Sequence, residues 1–568
     1  MDLGGVKSDQ LKQHNHQRTD SSTLIAMAKY TILHNARVFQ TDGIISPKHS
    51  FAKCLAIDNE TGRIVHAGSE NDPRVAEIAA DATRQDLEGR FVLPGFIDGH
   101  MHLLVLGQAL KKLALDDCRN LEDIRAKIKE YAAANPDLSR ILCRGWMPFM
   151  TGDQATYKML DGLDPRPIIV DSKDLHSAWC NSAALEELGI NNDSTPPQGG
   201  IIHRDQDGNI TGVVSEACVF LYIWPHLAKV SSQEESINAI KAAMNSYLSH
   251  GYTGLVEMAM EDNTWEALLA FKEKEGLPLH VVAYWLIRPS KTEEEAVAQV
   301  ERVIELHKKY NAETSPDCRI AGIKIICDGT VDACTAALTV PYSTGATYDM
   351  LWPPEALKPV VERAAKAGLQ CALHAIGDLA ITTALDALEP YATPAARHRM
   401  EHIELASPRD ARRLGQLGIT ASVQAVHADP AIIRAWPSLI GSARCSRAFA
   451  YSEFAREGAV LALGSDAPTS PYDPFPNLYT ATTRRSAREP DSEEIVNPHF
   501  ALSLAAALTA LTEGSAYSTF SDEWTGKLEV GKTADLAVID MEWDVEKLLS
   551  AKVVQTWYRG KLVFNGEK

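Results

Sequence analysis

The chain has 568 residues, more than one simple domain needs, although a barrel with insertions can take about 250 to 400 by itself. Its 45% hydrophobic and 23% charged residues are ordinary for a soluble globular protein with a large core. The formal net charge of −19, with no basic stretch to offset it, argues against a nucleic-acid partner, and no run of 18 apolar residues exists to span a membrane.

In chain order, the polar opening MDLGGVKSDQLKQHNHQRTDSS leads to LIAMA at 24–28, too short for the apolar core of a signal peptide. Residues 1–28 are expected to form a disordered lead, and the protein to be cytoplasmic. The ten cysteines form no C-x-x-C pair, which fits reduced structural thiols. Residues 29–90 read as short strands with turns at 41–43 and 59–62, and residues 526–568 repeat that pattern. The two ends are expected to build one composite β-sandwich domain.

Between them, residues 91–525 alternate strand and helix. Eight runs read as strands: 91–97, 252–258, 279–287, 319–326, 369–374, 399–403, 419–424 and 459–465. Helices are expected at 353–368, opened by prolines and closed by Gly368, and at 407–418, from Ser407 to Gly418. Strand followed by helix, repeated, implies parallel strands, so the expected fold class is α/β, a (β/α)8 TIM-type barrel. Residues 107–231 are too many for one βα unit and are expected to form an insertion over the barrel mouth, followed by a helix at 232–250.

Several runs end in residues that bind divalent metal. FVLPGFIDGHMH (91–102) supplies His100 and His102, IAGIKIICDGT (320–330) Lys324, LQCALHAIGD (369–378) His374, HRMEHIELA (398–406) His402 and GAVLALGSDAP (458–468) Asp466. In an extended strand, residues i and i+2 face the same way, so His100 and His102 reach one ion, with Asp98 on that face to orient one of them. Asp466 follows a wholly apolar run, where an unpaired carboxylate is costly to bury and requires a cation. It can also accept a proton from metal-activated water. Lys324 sits in an apolar run where burial favours the neutral amine. That amine either reacts with CO₂ to give a carbamate able to bridge two metals, or pairs with Asp328 or Glu257. Nitrogen and carboxylate ligands suit a divalent metal, one ion or two, with zinc the default. The reaction class is hydrolysis by metal-activated water.

Together with LHSAWCNSAAL (175–185), GIKIICDGTVDACTAAL (322–338), EHIE (401–404) and GKLEVGKTADLAVID (526–540), these motifs resemble the amidohydrolase superfamily, within its amidohydrolase-3 or YtcJ-like family. That family includes N-substituted formamide deformylases. The resemblance covers about residues 29–565. It implies that His100, His102 and Asp466 hold one metal, that His374 and His402 hold a second or shape the site, and that Lys324 is the bridge when carbamylated. It also implies that His176 touches substrate, with Asn181 and Trp146 beside it. Asp328 and Gln424 complete the expected substrate-binding set. Two departures stand out: Ala425 replaces a usual proline, and Glu257 replaces a usual aspartate.

The expected function is metal-dependent hydrolysis of a non-peptide C–N bond, amide or formamide-like, with Asp466 passing the proton to the leaving amine. Trp146, Phe149, Trp179, Tyr222 and Trp224 favour an apolar or aromatic small molecule, or else pack the insertion. The alternatives are a decarboxylase, isomerase or cyclase on the same fold, and a non-catalytic binding protein. The expected partner is a small-molecule substrate, without nucleic acid or membrane, and a homodimer is compatible with the sequence.

Overall fold

Eight parallel strands build a barrel: β1 Phe96–Met101, β2 Tyr252–Met260, β3 His280–Leu286, β4 Cys318–Ile326, β5 Gln370–Ala375, β6 Arg399–His402, β7 Thr420–Val423 and β8 Leu461–Leu463. Each is hydrogen-bonded to the next in chain order. The computed structural model describes residues 28–567 except 46, 116, 153, 174–176 and 198–199. Residues 1–27 of the expected lead, and His176, lie outside the described residues.

The strands are buried on both faces, which explains their near-continuous apolar runs. Helices on the outside start where the sequence caps them. Ser407 accepts from the backbone of Asp410 ahead of Pro408–Gln416, and Ser232 with Glu235 forms a capping box ahead of Gln233–Leu248.

No regular ladder joins β8 to β1; individual contacts close that seam. The Asp466 N–H donates to the His100 carbonyl at 2.7 Å, and the His102 N–H to the Ala467 carbonyl at 2.9 Å. Beside them, the buried Asp98 accepts from the Ser465 N–H at 2.9 Å, the Ser465 hydroxyl at 2.5 Å and the Tyr247 hydroxyl at 2.9 Å. Asp98 also takes the backbone N–H of His100 at 3.2 Å, so it orients that residue through its backbone and not through its ring. The approach needs glycine. A Cβ on Gly464 would stand 2.5 Å from the His100 nitrogen, and one on Gly99 would stand 2.8 Å from the Leu463 carbonyl oxygen. The seam thus fixes His100, His102 and Asp466 against one another.

The first expected barrel strand is two strands. Phe91–Pro94 pairs with Arg37–Thr41 and Leu536–Asp540, outside the barrel. Pro94 has no N–H, and the Gly95 N–H donates to the Asp535 carbonyl at 2.8 Å, so the chain leaves one sheet before entering the next. That outer sheet has six strands, ordered Lys561–Asn565, Lys552–Tyr558, Leu536–Asp540, Phe91–Pro94, Arg37–Thr41, His49–Ala52. Residues of both chain ends, including Leu55, Ile57, Val538 and Trp557, share one apolar core between it and a four-stranded sheet built from the first ninety residues.

Between β1 and β2 the chain makes a fourth sheet, of six strands, from Leu113–Ala114 to Ile210–Glu216, with apolar cores of its own. Among the described residues, the cysteines form no disulfide. Among the described residues, no helix is long and apolar enough to cross a membrane.

Candidate metal centre

His100, on β1, is buried, and its Nδ1 lies 2.8 Å from Oε2 of Glu401 on β6. Glu401 is in turn held by Arg399, whose Nε donates to Oε1 at 2.8 Å; neither side chain is exposed. Burial alone would raise the Glu401 pKa, but Arg399 and His100 hold it below the usual carboxylate range. Arg399 spends its remaining donors on the Gly99 carbonyl and the Ser422 and Ser518 hydroxyls. Burial, and then Lys324, push the His100 pKa down to about 4, so the ring is neutral. With Nδ1–H committed to Glu401, its Nε2 lone pair faces Oδ1 of Asp466 at 3.5 Å.

His102 repeats the plan. Its Nε2 lies 3.1 Å from Oδ1 of Asp466, and its Nδ1 lies 3.7 Å from Oε1 of Glu257 on β2. The other Glu257 oxygen accepts the Leu103 N–H, which anchors the helix that begins there. Burial lowers the His102 pKa, yet Asp466 and Glu257 overcome it and raise it to about 9. Burial works against the Asp466 charge as well, but His100, His102 and His402 hold its pKa well below the ordinary value.

β6 cannot keep strict alternation and still deliver both Glu401 and His402 to this place. It breaks alternation with positive φ at His402 (71°) and Ile403 (46°). Such angles are uncommon for non-glycine residues and rarer for β-branched ones, and they cluster at functional sites. The His402 ring centre then lies 4.9 Å from that of His100 and 4.3 Å from that of His374. Burial, then His374 and His100, drive the His402 pKa well below the ordinary value.

His427 was not among the expected residues. It sits on the short turn Ala425–Ala428 beyond β7, with its ring parallel to His402 at 5.8 Å. Its Nδ1 is 3.4 Å from Oε1 of the buried Glu404, and its Nε2 is 3.7 Å from Oδ2 of Asp466. Burial pulls its pKa down, but Glu404 and Asp466 outweigh that and hold it above the ordinary value.

The remaining expected residues divide. Lys324 on β4 is buried and its Nζ has no hydrogen-bond partner; burial pushes its pKa down to about 8. Neither Asp328 nor Glu257 pairs with it among the described residues. His374 on β5 turns Nε2 toward Oδ1 of Asp328 at 3.6 Å. Asp328 is fully buried and accepts the backbone N–H groups of Ala337, Ile376 and Gly377 at 2.9, 3.0 and 2.8 Å. It knits loops together at the ends of β4 and β5. Asn181 is held by backbone in the same way: its carbonyl oxygen caps Ser182–Leu188 and also takes the Ile168 N–H, while an amide N–H donates to the Arg166 carbonyl. Trp146 is buried in the insertion core, its ring centre 5.6 Å from that of Trp179, and its indole N–H has no hydrogen-bond partner. Gln424 differs: it is buried, and neither atom of its carboxamide has a partner. It follows Ser422 by two residues on extended chain, and Ser422 faces Arg399 inside the barrel.

Two groups of three bring their ligand atoms within 4.8 Å of one another: His100, His102, Asp466 and His402, His427, Asp466. The neutral His100 turns an Nε2 lone pair toward a carboxylate oxygen, which repels it unless a cation stands between them. Nδ1 of His402, a member of the second group, has no hydrogen-bond partner. The donor set therefore fits a divalent metal of borderline softness.

The Amidohydrolase family matches residues 84–564 of this sequence. The chain belongs to the amidohydrolase family. Protein LONG AFTER FAR-RED 3 of Arabidopsis thaliana is 29% identical over 553 residues, covering 93% of this chain and 91% of its own. The N-substituted formamide deformylase of Arthrobacter pascens is 25% identical over 555 residues, covering 91% of this chain and 96% of its own. A solved structure of an uncharacterized metal-dependent hydrolase from Pyrococcus horikoshii OT3 aligns with a TM-score of 0.73 and 25% identity, over 90% of this chain and 98% of that one. Membership in the amidohydrolases places the protein among hydrolytic enzymes, and its His–Asp groups lie where the strands of the barrel end.

Proposed function

We propose that the protein is a metal-dependent amidohydrolase that cleaves a non-peptide C–N bond, amide or formamide-like, in a small apolar or aromatic molecule. One observation carries this reading: Oδ1 of Asp466 faces Nε2 of both His100 and His102, at 3.5 and 3.1 Å, at the C-terminal end of the barrel. Likeness to the formamide deformylase of Arthrobacter pascens supports the bond type.

His100, His102 and Asp466 would hold the ion, and zinc suits their nitrogen and oxygen donors. When bound, such a cation lowers the pKa of water from 15.7 to about 7 and polarises a carbonyl oxygen. Asp466 accepts the proton of the attacking water and delivers it to the leaving nitrogen. Glu401 and Glu257 keep the imidazoles turned toward Asp466. The Gln424 carboxamide offers N–H to the substrate carbonyl and its oxygen to a substrate N–H, a pattern complementary to an amide.

Lys324 is proposed to carry a carbamate, formed when its neutral amine adds to CO₂ and releases a proton. Its burial without a partner supports this. Density continuing past Nζ into a branched group, in crystals of zinc-loaded protein, is the expected result; a bare amine refutes it.

The function is tested by incubating zinc-loaded protein with N-substituted formamides, acyl anilides and cyclic amides and identifying the products. An amine and a carboxylic acid released in equal amounts are expected from formamides and anilides, and a single ring-opened amino acid from cyclic amides. Release of CO₂ alone, or an isomer of the substrate, would overturn the reading.

A further inference from the structure

Helix Leu103–Lys111 follows His102 directly, and helix Gln233–Leu248 leads into β2, which carries Glu257. The two helices press together at Gly107, where a Cβ would stand 2.1 Å from the Ala239 carbonyl oxygen. One turn further on, Lys112 and Glu235 line a cavity of about 150 Å³, together with residues of the insertion. The cavity shares Arg140 and Val230 with a surface groove along residues 134–140, so a small molecule has a way in.

Its lining is divided. Leu142, Leu227 and Val230 give it an apolar wall, and Lys111, Lys112 and Arg140 give it positive charge. The one carboxylate on the lining, Glu235, is exposed and accepts the Ser232 N–H at 2.7 Å in the capping box. Lys112 decides the ligand. Its side chain is 5% exposed, and its ammonium has one partner among the described residues, Oδ2 of Asp171. An ammonium has three N–H donors, so two remain without a protein partner in a buried place. Charged donors left unmet are costly, and an anionic oxygen answers them best. Volume sets the size: an apolar cavity of about 150 Å³ holds a single benzene ring.

We propose that this cavity is an effector site for a small aromatic carboxylate, with the ring on the apolar wall and the carboxylate on the Lys112 ammonium. The site is separate from the metal centre, about 13 Å away along the axis of helix Leu103–Lys111. The same helix connects them. It starts at His102, and its first N–H, of Leu103, is held by Glu257, the acid that faces His102. A ligand that shifts the two helices at the cavity shifts Glu257 against His102. This coupling rests on the metal-dependent reading above; the binding itself does not.

Binding is tested by calorimetric titration of benzoate into full-length protein stripped of metal, so that no ion captures the carboxylate, and by crystals soaked in benzoate. One benzoate per chain is expected, with density in the cavity, and benzylamine should not bind. Lys112→Met should weaken binding by about 10- to 100-fold, the worth of a hydrogen bond to a charged group. Val230→Phe fills the cavity and leaves Lys112 in place; it should abolish binding, and it serves if Lys112→Met does not fold. No saturable binding, density at crystal concentration only, equal binding of benzylamine, or full binding by Val230→Phe would overturn the site. The coupling is tested by chelator competition. Saturating benzoate should change the zinc affinity of wild type by about fivefold or more and leave that of Val230→Phe unchanged. No change in wild type, or an equal change in Val230→Phe, would overturn the effector role. Protein that binds benzoate in the cavity but no zinc would overturn the metal-dependent reading and leave the binding site standing.

Discussion

Nδ1 of His100 lies 2.8 Å from Oε2 of Glu401, and the acid behind that ring is itself held by the fully buried guanidinium of Arg399. One strand, β6, thereby supplies the support for a ligand on another strand, β1. Glu401→Gln should weaken zinc binding by about 10- to 100-fold, because Nδ1 loses the anion that fixes its tautomer. It should also destabilise the fold by about 3 to 5 kcal/mol, since Arg399 is left as an uncompensated buried charge. A chelator competition and a thermal melt check the two effects. Unchanged zinc affinity would remove Glu401 from the site.

Asp466→Asn preserves shape and removes the proton acceptor. The variant should fold, keep most of its metal and lose about 10² to 10⁴ in kcat, the usual worth of general acid–base help. Turnover within about threefold of wild type would exclude that role for Asp466.

Gln424→Leu separates recognition from packing. The wild-type carboxamide is buried with both atoms unpartnered, so its removal should leave thermal stability unchanged or improved. KM for an amide substrate should rise about 30-fold, the equivalent of two lost hydrogen bonds of about 1 kcal/mol each. A drop in stability with an unaltered KM would make Gln424 a packing residue.

Asn181→Ala should behave in the opposite way. Loss of a cap that also ties down Ile168 should cost about 1 to 2 kcal/mol in stability, seen as a lower melting temperature. KM should stay at the wild-type value. A raised KM in a variant of full stability would place Asn181 at the substrate site.

The barrel was legible because its strands are buried on both faces and read as unbroken apolar runs. His100, His102, His374, His402 and Asp466 were legible because each stands where such a run ends. His427 obeys neither signal. It lies past the end of β7 on a helical turn, in SVQAVHADP, and only the fold brings it to Asp466. Glu401 and Glu404 were in view inside EHIE, but alternation on a regular strand gives Glu401 and His402 opposite faces. The positive φ at His402 and Ile403 that breaks alternation has no glycine to announce it. The cap at Asn181 is hidden for a related reason: a residue ahead of a short helix can mark a binding motif or a cap, and the sequence does not show that its side chain accepts the Ala184 N–H. Phe91–Pro94 was merged into β1 because apolarity continues across Pro94 and Gly95 while the hydrogen-bond partners change.

Activity against bound metal tests the central claim most directly. The protein is stripped with a chelator, zinc is returned in measured steps, and amine release from an N-substituted formamide is followed together with bound zinc. Stripped protein should be inactive, and activity should return in step with zinc retained at the His100, His102 and Asp466 site. Full activity in protein shown to carry no metal would contradict it.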